Sequence, residues 1–156
     1  MITEPDEYVL FTQPGMRYCQ AQALVHVLIN DPEFKSYNQD EKDLACNKIL
    51  DDVRGRMMED IVLLDTVRSV PKDQSAFKLS FERSEFDMVI YKPEENTCEA
   101  FEIKHSAKIV PDQYHVLEDE QQCLRAEQQY GRITRKCVIY RGPGCVLANG
   151  GEYLPY

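Results

Sequence analysis

Asp87, Glu102 and Lys104 are the residues of this chain whose types and spacing most clearly suit chemistry. Residues 85–91 and 98–104 each alternate with period two, the pattern of strands. Between them Lys92-Pro93-Glu94-Glu95-Asn96-Thr97 has the composition of a turn. Antiparallel pairing around that turn sets Asp87 opposite Glu102, with Cβ atoms roughly 4.5–5.5 Å apart. Lys104, two residues past Glu102, shares its face. Facing carboxylates repel unless a cation answers them, so two acids and one amine form a self-consistent set. Mg²⁺ (or Mn²⁺) takes hard oxygen ligands, commonly one or two carboxylates, and leaves positions for water and phosphate. It acidifies bound water and neutralises phosphoryl charge. Lys104 would orient or help deprotonate the attacking water, or stabilise developing charge. Glu59, near the end of a helix, offers a further carboxylate. The competing reading is an ordinary solvated strand face, where such ion pairs are worth little. Against it stand the flanking Phe86, Met88, Ile90, Phe101 and Ile103, which read as central strands with few solvent faces.

The elements that must position these residues follow from periodicity. Residues 1–16 read as an extended lead-in with a turn at Pro14-Gly15. A helix is expected over Tyr18–Asn30, with Ala21, Leu24, Val25, Leu28 and Ile29 as its stripe, stopped before Pro32. A long second helix is expected from Asn38–Glu41 to about Thr66, opened by an N-x-x-E capping box. Its expected stripe is Leu44, Ile49, Val53, Met57, Ile61 and Leu64. Gly55 inside it costs about 1 kcal/mol relative to Ala and implies a packing reason. Three strands follow, then a helix over Pro111–Tyr130 with Val116, Leu117, Leu124 and Ala126 inward and Gly131 as its cap. A strand over Lys136–Tyr140 and short strands near Val146–Leu147 and Tyr153–Leu154 complete the order. The fold class is therefore mixed, α/β or α+β, with helices on a mixed sheet.

The chain has 156 residues, 43% of them apolar, enough for one domain with a small appendage. A division into a 1–37 extension and a 38–156 domain fits the pattern. No apolar run is long enough to span a membrane, and the acidic start lacks a secretory h-region. Six cysteines without CxxC spacing, and three histidines in no zinc-finger spacing, read as reduced thiols in a cytoplasmic protein. The net charge of −9 works against a stand-alone nucleic-acid binder.

Asp87, 14 intervening residues and Glu102-Ile103-Lys104 resemble the D…(D/E)-x-K signature of the PD-(D/E)XK, or restriction-endonuclease-like, superfamily. A wider string is Gly55-Arg56-Met57-Met58-Glu59-Asp60, Glu85-Phe86-Asp87-Met88-Val89-Ile90, Glu102-Ile103-Lys104-His105-Ser106 and Tyr140-Arg141-Gly142. With Phe11-Thr12-Gln13-Pro14-Gly15-Met16-Arg17-Tyr18, it resembles the C-terminal (DUF4143-like) domain of bacterial and archaeal AAA+ ATPases from about residue 8 onward. Phe86 stands where the signature names proline. The resemblance implies a core of helix, three-stranded antiparallel meander, helix and strand, preceded by extra N-terminal helices. It implies Glu59 as the helical acid, Asp87 and Glu102 as metal ligands, and Lys104 as the catalytic lysine. Nucleic acid, DNA before RNA, is the implied substrate, and an N-terminal AAA+ module the implied partner. The chain has no P-loop of its own.

Around this core, His105 reads either as a substrate contact or as a hydrogen-bonded strand-end histidine. Gln113, Gln121 and Gln122 could reach the site or face solvent. Arg132, Arg135, Lys136 and Arg141, and likewise Arg54, Arg56 and Arg68, are phosphate contacts or solvated pairs. His26 reads as a core or boundary residue, and Met57-Met58 as core packing. Two functions fit: a metal-dependent nuclease, or a nuclease-like fold serving an ATPase as a non-catalytic interaction module. The complete acid–lysine set favours the first and the net charge the second.

Overall fold

Proline and asparagine set the start of the helical segment. In the computed structural model, which describes residues 14–82, 84–148 and 150–156, helix α1 runs Pro14–Asn30. The turn expected at Pro14-Gly15 is instead the first turn of this helix, because a first-turn residue does not need the N–H that proline lacks. The lead-in expected before it lies outside the described residues. Asp31 then caps a short helix α2, Pro32–Lys35, accepting from the N–H groups of Glu33 at 2.8 Å and Phe34 at 3.2 Å. Helix α3 runs Gln39–Ser69. Its capping box forms as the sequence implies: Glu41 N–H donates to Asn38 Oδ1 at 2.9 Å, and Asn38 N–H donates to Glu41 Oε2 at 3.0 Å.

The chain divides into two compact units inside α3, at Ile61/Val62. In the helical unit Ala21, Phe34 and Met58 are buried, and Arg17 pairs with buried Asp60 at 3.0 Å. The expected stripes are only partly right. Leu24 and Ile29 on α1 are exposed, and so is Leu44 on α3. Ile49, Val53, Met57, Ile61 and Leu64 are half-buried, while Met58, Val62 and Leu63 are the deepest apolar residues of α3. A 31-residue helix with apolar residues on more than one side offers two faces, and the expected stripe is the shallower one. Gly55 has no packing reason: a Cβ there would meet nothing within 4 Å.

The second unit is a six-stranded mixed sheet with helices. Its strands are β1 Ser75–Ser80, β2 Glu85–Lys92, β3 Thr97–Lys104, β4 Arg132–Tyr140, β5 Cys145–Val146 and β6 Glu152–Pro155. Their spatial order is β1-β2-β3-β4-β6-β5. β1, β2 and β3 form an antiparallel meander; β4 lies parallel to β3, and β6 parallel to β4. β3 is thus paired on both sides, as its apolar sequence demands. The connection from β3 to β4 is not the one long helix expected. It comprises a 3₁₀ turn at Pro111–Tyr114, helix α4 His115–Glu118 and helix α5 Glu120–Tyr130. Asp119 makes the break, since its carboxylate caps α5 by accepting from Gln121 and Gln122 N–H. The new phase puts Cys123 inside and leaves Leu124 exposed.

Gly131 ends α5 with φ +73°, and a Cβ there would sit 1.9 Å from the Asn96 carbonyl oxygen. Only glycine fits this close approach of the α5–β4 corner to the β2–β3 turn. The core under the helices joins Phe86, Val89, Ala100 and Val138 of the sheet to Leu117, Cys123 and Ala126. All six cysteines are free thiols. Burial pushes the Cys98 thiol up to about 11 and Cys137 up to about 12, which keeps both protonated and unreactive near neutrality.

Candidate active site

The β2–β3 ladder pairs Met88 with Phe101 and Val89 with Ala100, the register inferred from the turn. Asp87 and Glu102 are next in line. There the ladder gives way to a side chain: Ile103 N–H donates to Asp87 Oδ2 at 2.8 Å. Asp87 is 6% exposed and Glu102 3%, so the solvated-face reading is set aside. Lys104 lies between them, its ammonium 2.6 Å from Glu102 Oε2 and 3.3 Å from Asp87 Oδ2. The structure therefore brings Asp87, Glu102 and Lys104 together at the end of the meander. Glu59 sits half-buried on α3, in the helical unit.

Two partners were not singled out in the sequence. Lys78 of β1 places its ammonium 2.7 Å from Glu85 Oε1 and 4.0 Å from Asp87 Oδ1. The carboxylates of Glu85 and Asp87 in turn lie within 4.8 Å of each other. Glu85 was legible in principle, two residues from Asp87 on the same strand. Lys78 was not, because the β1–β2 register shifts between Phe77 and Leu79. A bulge of this kind re-aims a side chain, and nothing in a six-residue strand announces it.

Three carboxylates thus share two ammonium groups, and burial makes the shortfall costly. Burial first, and then the charge of Asp87, push the Glu102 carboxyl up to about 7 against the pull of Lys104. Burial would lower Lys104, but Asp87 and Glu102 outweigh it and hold the amine above its ordinary value. One oxygen, Glu102 Oε1, is buried with no hydrogen-bond partner among the described residues. A buried carboxylate oxygen left in this way fits either a proton or a hard cation. Asp87 and Glu102 are the residues that would hold such an ion, with Glu85 beside them.

The other candidates separate by their partners. His105 follows the site lysine and meets the Arg141 guanidinium, with 3.2 Å between Nε2 and Nη1. Gln113 is buried in a backbone role, accepting from Val110 N–H at 3.1 Å and donating to the Lys108 carbonyl at 3.1 Å. Gln122 donates to Asp119 at its helix cap, and Gln121 is exposed. Arg135 is neutralised by Glu152, and Arg54 by Asp51 at 3.1 Å. His26 is exposed on α1 and not a core residue, because the inward side of that helix is carried by Ala21, Val25 and Leu28. A scan against protein-family models finds no match to this chain, and neither does a comparison with curated proteins.

Proposed function

We propose that this chain is a PD-(D/E)XK-type, Mg²⁺- or Mn²⁺-dependent phosphodiesterase acting on nucleic acid, DNA before RNA, and that it works as the C-terminal part of an AAA+ ATPase. The observation that carries the reading is the buried Glu102 carboxyl with one oxygen on Lys104 and the other without a partner, beside buried Asp87. A purely structural ion pair gains little from leaving a buried oxygen unsatisfied. The order of a long helix, an antiparallel meander, a helical crossover and a parallel strand supports the same superfamily. In this reading Asp87 and Glu102 hold the ion, whose chemistry is Lewis acidity toward water and phosphoryl oxygen. Asp87 is fixed for that task by the Ile103 N–H, which cannot move without breaking the strand. Lys104 orients the attacking water or stabilises charge on the phosphoryl oxygens. Glu85 and Lys78 set the charge around Asp87.

Cleavage of labelled DNA tests this. Wild-type protein with Mn²⁺ or Mg²⁺ should cut, and chelator should stop it. Asp87→Asn, which keeps the side-chain volume, should reduce the rate by about a hundredfold or more. Equal rates in wild type and Asp87→Asn would sink the proposal. One observation favours the second reading, a non-catalytic module of an ATPase: with a net charge of −9 the isolated chain is a poor polyanion binder. That reading expects no metal-dependent cleavage at any protein concentration.

A further inference from the structure

Several cations of the sheet are answered by carboxylates. Lys78 pairs with Glu85, Lys92 with Glu99, Lys104 with Asp87 and Glu102, and Arg135 with Glu152. Arg141, the residue just past β4, is answered differently: its partner among the described residues is the imidazole of His105. An imidazole meeting a guanidinium does so as an acceptor, through an unprotonated Nε2. The pair therefore keeps the full charge of the arginine. A guanidinium carries five N–H donors, so most of its donors remain for a ligand, and Arg141 is exposed.

The place and stiffness of this pair matter as much as its charge. Lys104 pairs with Tyr140 as the last rung of the parallel β3–β4 ladder, so His105 and Arg141 are the residues directly beyond it. In sheets of this kind ligands bind outside the carboxyl ends of parallel strands. The two loops that leave the ladder are tied to each other. Arg141 N–H donates to the Ser106 carbonyl at 3.1 Å. A Cβ on Gly142 would fall 2.4 Å from the Tyr140 ring and 2.8 Å from the Ala107 carbonyl oxygen, so the loops touch there. Lys108, exposed on the same loop, has its backbone fixed on both sides. Its N–H donates to Ser106 Oγ at 2.9 Å, and its carbonyl accepts from Ser106 Oγ at 2.7 Å and from buried Gln113 at 3.1 Å.

We infer that Arg141, held by His105, and Lys108 form a rigid phosphate-binding rim that takes the nucleic-acid backbone at the β3–β4 end of the site. The inference rests on the nuclease reading and names where its substrate is gripped. A planar guanidinium matches the phosphate oxygens, and a rim fixed in advance loses little entropy on binding. It also answers the charge difficulty: an acidic chain needs a local cationic contact, and Lys78, Lys92, Lys104 and Arg135 are already paired with carboxylates.

Fluorescence anisotropy of a short labelled DNA duplex, in chelator and at low salt, tests the rim without cleavage. Arg141→Gln and Lys108→Gln should each weaken binding about five- to tenfold and lower the slope of log affinity against log salt by about one. His105→Ala should weaken it less, by loosening Arg141. Arg125→Gln, exposed on α5, should bind like wild type. No binding by wild type, or wild-type affinity in Arg141→Gln, overturns the inference. Cleavage by the same variants separates it from the nuclease reading. Asp87-dependent cleavage with an unchanged KM in Arg141→Gln sinks the rim and leaves the nuclease. Arg141-dependent binding without cleavage upholds the rim and sinks the nuclease.

Discussion

At the scale of single residues the site is governed by a charge imbalance in a dry place. Glu102 titrates at about 7, above its ordinary value, because burial and Asp87 disfavour its charge. The folded state then binds a proton at Glu102 that the unfolded state releases from about pH 4.5 upward. Its contribution to stability is full below that pH, falls as pH rises, and is lost above about 7. Thermal melting across this range should show wild type losing stability on the order of a few kcal/mol from this source. Glu102→Gln should flatten that part of the profile; an unchanged profile would count against a buried, proton-holding Glu102. Asp87 has a second duty, since it accepts the buried Ile103 N–H. Asp87→Ala should therefore cost about 1–3 kcal/mol of stability, measured by denaturant unfolding, whereas Asp87→Asn should cost less. The types and spacing of Asp87, Glu102 and Lys104 were legible in the sequence, because strand alternation and a short turn fix their register. The clamp from Ile103 N–H was not, because it replaces a ladder bond by a side chain and leaves no pattern.

At the scale of elements, what the sequence announces is what local rules control. The Asn38–Glu41 box, the β2–β3 turn and the Gly131 cap all form where their residues imply. Buried faces were harder to read, since packing against other elements decides them. Leu44 and Leu124 point outward for that reason, and the Asp119 cap split one expected helix into two. Two glycines make opposite predictions. Gly131→Ala forces a Cβ into the Asn96 carbonyl at a positive φ and should destabilise by about 2 kcal/mol or more. Gly55→Ala meets open space within α3 and should stabilise by about 0.5–1 kcal/mol. Melting temperatures of the two variants check both signs, and a stabilised Gly131→Ala would contradict the corner geometry.

At the scale of the whole molecule, a chain of net charge −9 carries its acids in two ways. Many lie at the surface, while Asp87 and Glu102 are drawn inside and joined to Lys104. No described helix is long and apolar enough to cross a membrane. Periodicity gave the mixed fold class, since alternating and helical periods both recur, but it could not show which acids would be buried. That burial is what makes the nuclease reading more than a spacing match. Calorimetric titration of Mn²⁺ into wild type and Glu102→Gln tests it most directly. A saturable heat at millimolar metal or below is expected in wild type, lost in a Glu102→Gln protein that remains folded by its melting curve. No heat in wild type, or the same heat in both proteins, would contradict it.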